Sequence, residues 1–210
     1  MPSQAFLRMS LASWRRKHAY RQRKLDLAHA TNDKKSIAKW HTLLQKAGVI
    51  IRKREAQLER LAPLRDRAYR VAAGLVGVME QGGNNAGPMV TKIIKANGGT
   101  GPEAWCGDFV AYCYRLAGSK RVSRAWAQVS LLRSLAGIAA TNQPHRGDLV
   151  RFTFSHVGLF VRDLGNGTIE TLEGNSGRAG AVSDSSTGGD GVYRKHRSKA
   201  LVRDYLQVHG

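Results

Sequence analysis

Apolar residues in the first sixty positions of the chain recur at alternating steps of four and three, which is the spacing of one face of an α-helix. One such series covers residues 7–28 and a second covers residues 37–61. Residues 31–33, Thr-Asn-Asp, supply a turn and a helix N-cap between the two series. The pattern therefore predicts two helices folded back as an antiparallel hairpin, which ends at Pro63 because proline cannot continue a helix.

The positive charge of the chain is concentrated in the same region. The 210 residues include 34 Lys and Arg against 15 Asp and Glu, a formal net charge of +19, and residues 1–70 hold 18 of the basic residues but only 5 of the acidic ones. Runs of charge commonly form a solvated helix face. A surplus this large also predicts attraction to polyanions, among which teichoic acids, carboxylate-rich peptidoglycan, anionic lipid and nucleic acid share the same charge.

The spacing of apolar residues changes after Pro63. Helical periodicity continues at first, in residues 64–81, 89–96 and 105–117. After Pro144 the apolar runs shorten to strand length and are separated by Gly, Asn and Ser turns, at residues 149–152, 157–162, 168–172, 191–194 and 201–208. Helices followed by strands predict an α+β domain with an antiparallel sheet over residues 64–210, after a hairpin over residues 1–63. A Gly- and Ser-rich stretch, residues 174–191, is predicted as a mobile loop.

Several classes of protein are disfavoured by the composition. No stretch approaches the roughly 18 consecutive apolar residues that a membrane span needs, so we expect no transmembrane segment. The first residues lack the layout of a signal peptide, and we expect no secretion by the usual route. Cys106 and Cys113 lie seven residues apart on one predicted helix, a rise of about 10.5 Å. That exceeds the roughly 7 Å limit for a disulfide, so both thiols are expected to be free, and two cysteines predict no zinc site.

Cys106 is the first candidate for chemistry. It lies where a Gly- and Pro-containing loop, residues 97–104, enters a predicted helix. The unpaired N–H groups and the dipole of a helix start favour a thiolate, by about 0.3–1 kcal/mol for the dipole. This is a partial activation, so a basic partner is still required. Cys113, by contrast, belongs to the apolar stripe of the same helix and is expected to be inert core.

His156 is the candidate base, and two residues could orient it. His156 stands at the start of a predicted strand, where its ring can project over the sheet end. Glu173 and Asn175 close the next strand, and alternation of side chains predicts that both face the same side. Cysteine, histidine and a carboxylate or amide are the three groups that a thiol nucleophile, its base and the orienting group require.

These motifs together resemble the cysteine- and histidine-dependent amidohydrolase/peptidase (CHAP) family of peptidoglycan hydrolases. The resemblance covers roughly residues 65–210, and the matching segments follow one another in the family's order: residues 77–80 (Gly-Val-Met-Glu), 105–110 (Trp-Cys-Gly-Asp-Phe-Val), 147–148 (Gly-Asp), 156–158 (His-Val-Gly) and 173–175 (Glu-Gly-Asn). It implies a papain-like fold, with helices packed on an antiparallel sheet. It also implies that Cys106 is the nucleophile, His156 the general base and Glu173 the orienting residue.

The resemblance assigns secondary roles to three further residues. Asn175 would assist Glu173, and Trp105 and Glu80 would lie along the substrate groove. No organic cofactor is implied. Some family members carry a calcium loop of clustered aspartates upstream of the cysteine, but residues 95–104 here offer only Glu103, so no metal is implied either.

The activity implied is hydrolysis of an amide bond in bacterial peptidoglycan, as an N-acetylmuramoyl-L-alanine amidase or as a peptide endopeptidase. A basic hairpin before the catalytic domain resembles bacteriophage lysins. Such a protein would remain in the host cytoplasm until a holin-dependent release to the wall, or would travel in the virion. Its expected partners are peptidoglycan and anionic wall polymers, with no specific nucleic acid.

Three other interpretations fit parts of the sequence. The hairpin could grip the phosphates of a nucleic acid, although the sequence has no aromatic and basic recognition motif. The chain could be a virion structural protein with a degenerate hydrolase domain. An NlpC-type cysteine peptidase also places its cysteine before its histidine. The sequence leaves the bond cut and the oligomeric state open.

Overall fold

The computed structural model describes residues 3–177 and 189–209. The chain forms two compact units, Met1–Ala62 and Pro63–Gly210. The first unit therefore ends at Ala62, one residue earlier than the hairpin boundary predicted at Pro63.

The first unit consists of two long helices, α1 (Gln4–Ala30) and α2 (Lys34–Leu61). Each begins at a side-chain cap. The Ser3 side chain accepts a hydrogen bond from the Phe6 N–H, and the Asp33 side chain accepts one from the Ser36 N–H. Such caps satisfy N–H groups that have no partner within the helix, and they explain why the helices start here.

The two helices pack against each other in antiparallel order. The ring of Tyr20 meets that of Trp40 edge-on, at 6.2 Å between centroids, close to the turn. Further from the turn, Arg15 donates to Glu55 at 2.7 Å. In an antiparallel hairpin, contacting residues are further apart in sequence the further they lie from the turn, and these two contacts follow that pattern.

The second unit begins with three helices, α3 (Leu64–Gly74), α4 (Pro88–Ala96) and α5 (Cys106–Leu116). The helix predicted over residues 64–81 is therefore seven residues too long. Gly77 has a φ of 89°, and beyond it Met79 forms a β-bridge with Gly191. The backbone of this segment bonds to the sheet edge, which replaces the helical hydrogen bonds. Three short 3₁₀ helices also occur, at Arg124–Ala127, Val129–Ser134 and Lys199–Leu201.

Six strands form one antiparallel sheet in the order β1-β6-β2-β3-β4-β5. Their bounds are β1 Ile138–Thr141, β2 Leu149–Phe152, β3 Val157–Gly165, β4 Thr168–Ser176, β5 Gly191–Ser198 and β6 Val202–Val208. Strand β1 was not predicted. Strand β4 continues to Ser176, into the stretch that was predicted as a loop, and residues 178–188 of that stretch lie outside the described residues.

Helix α5 is the centre of the second unit. All residues from Cys106 to Tyr114 are buried, and the helix packs against α3, α4 and strands β3 and β4. A smaller apolar cluster, which includes Phe152 and Phe160, forms separately from this main core. The predicted α+β class with an antiparallel sheet is confirmed. Within the part of the chain that the structure describes, no helix is both long enough and apolar enough to cross a membrane.

Candidate active site

Cys106 is the first residue of α5, at the end of the loop predicted to lead into it. Its side chain is almost completely buried, since the residue is 5% exposed. Asp108 lies in the first turn, where a carboxylate faces the positive end of the helix dipole. Asn97 and Arg124 donate to the Asp108 Oδ1 at 2.7 and 2.9 Å. These bonds tie the end of α4 and the 3₁₀ helix at Arg124–Ala127 to the start of α5.

His156 lies immediately before β3 and is held by aromatic rings. It is 1% exposed. Its ring stacks on Phe154 at 5.9 Å between centroids and on Phe152 at 5.8 Å. The His156 N–H donates to the Phe154 carbonyl at 2.7 Å, and the Phe152 N–H donates to the His156 carbonyl at 3.1 Å. The tight turn and the two rings restrict the orientation of the imidazole.

Glu173 on β4 meets this imidazole. Its Oε2 lies 3.0 Å from the His156 Nε2, and both side chains are buried. With Nε2 donating to the carboxylate, Nδ1 is the ring nitrogen left for a second partner. The Cys106 side chain lies close enough to His156 to act on it through hydrogen bonding and charge, and both influences raise the pKa of the imidazole. The structure thus brings together three of the residues singled out in the sequence, in the order thiol, imidazole, carboxylate.

Arg197 on β5 is a fourth member of this cluster, and no sequence pattern had indicated it. Its Nη2 and Nε donate to the two oxygens of Glu173 at 2.7 and 3.0 Å, and Arg197 is only 1% exposed. The hydroxyls of Thr171 and Ser176 donate to the same carboxylate at 2.6 and 3.2 Å. Burial opposes ionisation of Glu173, but hydrogen bonds and charge from His156 and Arg197 outweigh it and hold the pKa of this carboxyl well below its usual range.

The same network sets the protonation of His156. Burial is the largest influence and would lower the pKa of the imidazole, but hydrogen bonds to Cys106 and Glu173 act the other way and prevail. Together they raise the pKa of His156 from 6.5 to about 9. The imidazole therefore carries a proton at neutral pH, beside an ionised carboxylate.

Two glycines permit this close packing. A Cβ at Gly158 would lie 2.7 Å from the Cγ of Glu173, and a Cβ at Gly174 would lie 2.5 Å from the Cγ of Phe109. Real Cβ atoms do not approach so closely, so a side chain at either position would push β4 away from its neighbours. These distances give a physical reason for glycine in the His-Val-Gly and Glu-Gly-Asn segments.

Asn175 does not lie where strand alternation placed it. Its φ is 53°, and the pairing of β4 with β5 is irregular between Glu173 and Ser176. Among the described residues, the hydrogen-bond partner of its Oδ1 is the Gly189 N–H, at 3.3 Å, rather than His156. The expectation that Asn175 shares the orientation of Glu173 is wrong, because the backbone leaves the extended conformation at this residue.

Trp105 is buried, and Glu80, which is partly buried, bonds to it. Trp105 is 0% exposed, so the prediction that it lines a groove is wrong. Its indole N–H donates to the Glu80 Oε1 at 2.8 Å, and the Asn85 N–H donates to the other oxygen of Glu80, also at 2.8 Å. These bonds fix the loop after α3 against the start of α5. The edge of Trp105 also meets the ring of Phe109 at 6.4 Å between centroids.

Cys113 lies about two turns further along α5 than Cys106. It is fully buried, and burial raises the pKa of its thiol far above the ordinary range. Both cysteines are free thiols. Within residues 3–177 and 189–209, no group of three His, Cys, Asp or Glu side chains is arranged to hold a metal ion.

Comparisons with known proteins place the chain in no family. A scan against protein-family models gives no match, and a search of curated proteins gives none either.

Proposed function

We propose that this chain is a bacteriophage-type peptidoglycan hydrolase that cuts an amide bond with a cysteine nucleophile, on a papain-like CHAP domain. The observation that carries the proposal is the buried series Cys106, His156 and Glu173 at the start of a helix. A thiol, an imidazole and a carboxylate in this order are the nucleophile, the base and the orienting group that catalysis by cysteine requires.

The proposed reaction has two steps. In the first, the Cys106 sulfur, having given its proton to His156, attacks the amide carbonyl carbon. The C–N bond then breaks as His156 returns the proton to the leaving amine, and a thioester remains. In the second step, His156 accepts a proton from water as the water oxygen adds to the thioester carbon. The C–S bond then breaks, the carboxylic acid leaves, and the Cys106 thiolate remains beside the protonated His156. Glu173 holds the ring and compensates its positive charge in both steps.

The N–H groups at the start of α5 can stabilise the negative charge that develops on the carbonyl oxygen of the substrate amide during attack. The first N–H groups of a helix have no partner within it, and they point toward its N-terminus, where Cys106 lies. Preorganised N–H donors of this kind stabilise a tetrahedral oxyanion. We therefore assign the oxyanion hole to the backbone around Cys106 and Gly107.

Peptidoglycan is proposed as the substrate on two grounds. One is the resemblance of five ordered segments to the CHAP family. The other is the basic hairpin, whose surplus of Lys and Arg favours a polyanionic target such as the bacterial wall.

The decisive test compares the two cysteines. Cys106→Ser should abolish the loss of turbidity of a wall suspension while leaving the fold intact by circular dichroism. Cys113→Ser is the matched control: it changes the same atom on the same helix, and it should lower the melting temperature but keep lytic activity. Full activity of Cys106→Ser would reject the cysteine mechanism.

Mass spectrometry of the fragments released from purified peptidoglycan identifies the bond. A free lactyl group on the glycan with a new alanine amine indicates an amidase, and a split peptide indicates an endopeptidase. A new reducing sugar would contradict the proposal, because glycosidic hydrolysis does not use this set of groups.

A further inference from the structure

A cavity of about 590 Å³, open to solvent, lies in the second unit, and Cys106, His156 and Glu173 are not among its lining residues. It is bounded by α3, the turn before β2 and strands β3, β4 and β5. Glu170, in its wall, lies three residues before Glu173 on β4, so strand alternation points the two carboxylates to opposite faces of the sheet. The cavity is therefore separate from the candidate active site.

Positive charge dominates the wall of this cavity. Arginines come from four parts of the fold: Arg65, Arg146, Arg162 and Arg194. The carboxylates in the wall are Asp66 and Glu170. Arg65 also lies near enough to the buried Asp148 to act on it electrostatically. With all three carboxylates counted as ionised, four guanidinium groups still leave a positive surplus.

The carboxylates pair with three of the four guanidinium groups. Glu170 is 7% exposed and accepts from Arg162 at 2.6 Å and from Arg194 at 3.1 Å. Asp66 lies 3.4 Å from the Nη2 of Arg146. One nearly buried carboxylate shared by two arginines brings two forks of N–H donors together and cancels only one of their charges.

The ring of Tyr69 orients two of the same arginines. The guanidinium of Arg146 lies 4.7 Å from the ring centroid, and that of Arg194 lies 5.9 Å from it. Arg194 also donates to the Tyr69 hydroxyl at 3.1 Å. A guanidinium that stacks on an aromatic ring loses little further freedom when it binds a ligand.

We infer that this arginine cavity binds a phosphate group. Oriented guanidinium forks bind planar carboxylates and tetrahedral phosphates alike. Here the four arginines approach from α3, the turn before β2, β3 and β5, which suits an anion whose oxygens point in several directions. The surplus of positive charge matches a phosphodiester or a phosphate monoester.

The occupant that fits is the phosphodiester of a polyol-phosphate wall polymer, an assignment that rests on the proposed function. Such a polymer is covalently part of the wall that the enzyme would degrade. Bound in the cavity, it would hold the catalytic unit on its substrate between cleavage events.

The test uses the full chain and two double variants with equal net charge. Arg65→Gln/Arg162→Gln alters the cavity, and Arg115→Gln/Lys120→Gln alters an exposed surface of the same unit. Inorganic phosphate and poly(glycerol phosphate) are titrated at constant ionic strength, and the arginine side-chain N–H signals are followed by NMR. Phosphate should shift the signals of the cavity arginines, and the cavity variant should bind the polymer about tenfold more weakly.

The control variant should change polymer affinity by less than about twofold, because an exposed charge outside the cavity adds only to the general field. Equal weakening by both variants, or no shift of the cavity signals, would overturn the inference. Tighter binding of a DNA oligonucleotide of matched charge to the same arginines would overturn the choice of occupant. If thermal melting shows that the double variant is unfolded, Arg146→Gln replaces it. Cleavage of soluble wall fragments should stay unchanged, so failure here is distinct from failure of the hydrolase proposal.

Discussion

Two ion pairs, one in each unit, differ sharply in their exposure to solvent. In the hairpin, Arg15 and Glu55 form an ion pair whose side chains are 62% and 42% exposed. In the second unit, Arg197 and Glu173 form one whose side chains are 1% and 0% exposed. Solvent screens the first pair and leaves both partners free to move. The second pair has a fixed geometry, so it can position the imidazole of His156, whereas the hairpin supplies a diffuse positive field.

This difference predicts a ranking of effects. Removing one partner of a buried ion pair leaves an uncompensated charge and typically costs roughly 3–5 kcal/mol. Removing an exposed charge alters binding through the summed field, in small increments that salt suppresses. Substitutions at Glu173 and Arg197 should therefore act strongly and one at a time, and those on the hairpin weakly and in sum.

The largest effect in this comparison is expected for Glu173→Gln. The amide cannot stabilise a positive imidazole, and loss of the orienting carboxylate in related triads lowers turnover by up to about 10⁴-fold. The rate on purified walls should fall by a comparable factor. Asp163→Asn, which removes an exposed carboxylate on the neighbouring strand, is the matched control and should keep the rate.

The pH profile separates this role from a structural one. Because the pKa of His156 is raised in the folded state, its contribution to stability is fully present below pH 6.5 and is lost as the pH rises through about 9. Wild-type activity should fall over the same alkaline range, as the imidazole loses the proton that it gives to the leaving amine. In Glu173→Gln this fall should occur at lower pH. An unchanged alkaline limb would show that Glu173 does not set the protonation of His156.

The next effect is expected for Arg197. Arg197→Lys keeps a charge but loses the fork, and Arg197→Gln loses both, so the lysine variant should retain more activity. In metal sites, loss of a group that orients a ligand typically costs about 10–100-fold, and by analogy we expect the glutamine variant in that range.

Acid unfolding of the Arg197 variants gives an independent readout. Because the pKa of Glu173 is lowered in the folded state, the stability that Glu173 contributes is present above pH 4.5 and is lost as the pH falls below that value. Without Arg197 the pKa is lowered less, so the acid unfolding midpoint seen by circular dichroism should move to higher pH. A midpoint equal to that of wild type would contradict the role of Arg197.

The positions of these groups show how far sequence reasoning reaches. Cys106 could be found because a loop entering a helix is a local signal, and the α+β class followed from the order of periodic segments. Arg197 could not be found. Its Cα faces Ile169 across the sheet, and its long side chain reaches along β4 to Glu173, so the contact depends on strand register and on burial. Asn175 was misplaced because alternation fails where the backbone adopts a positive φ.

Asn175→Ala should have a smaller effect than either change in the buried pair. Its amide bonds to the Gly189 N–H rather than to the imidazole, so it supports the backbone beyond β4. We expect a loss of activity of about tenfold or less, with the alkaline limb of the pH profile unchanged. A loss larger than that of Glu173→Gln would make Asn175 the third catalytic residue, as in a papain-like Cys/His/Asn arrangement.

The smallest effect per residue is expected on the hairpin. A variant with four exposed lysines of α2 replaced by glutamine is compared with a control variant in which four exposed basic residues of the second unit are replaced by glutamine. The hairpin set is Lys34, Lys35, Lys46 and Lys53, and the control set is Lys92, Lys95, Arg115 and Lys120. If the hairpin targets the wall, its variant should sediment less with intact walls at low salt, and the control should be close to wild type.

The salt dependence of wall binding distinguishes a general electrostatic attraction by the hairpin from a specific contact between the hairpin and the wall. At physiological ionic strength, charges more than about 8 Å apart are largely screened, so the difference between the hairpin variant and wild type should shrink as salt is added. Cleavage of soluble wall fragments should be equal in all three proteins, because the buried network around Glu173 does not depend on the hairpin lysines. If the control set weakens wall binding as much as the hairpin set does, the whole surface attracts the wall, and the hairpin has some other role, such as assembly.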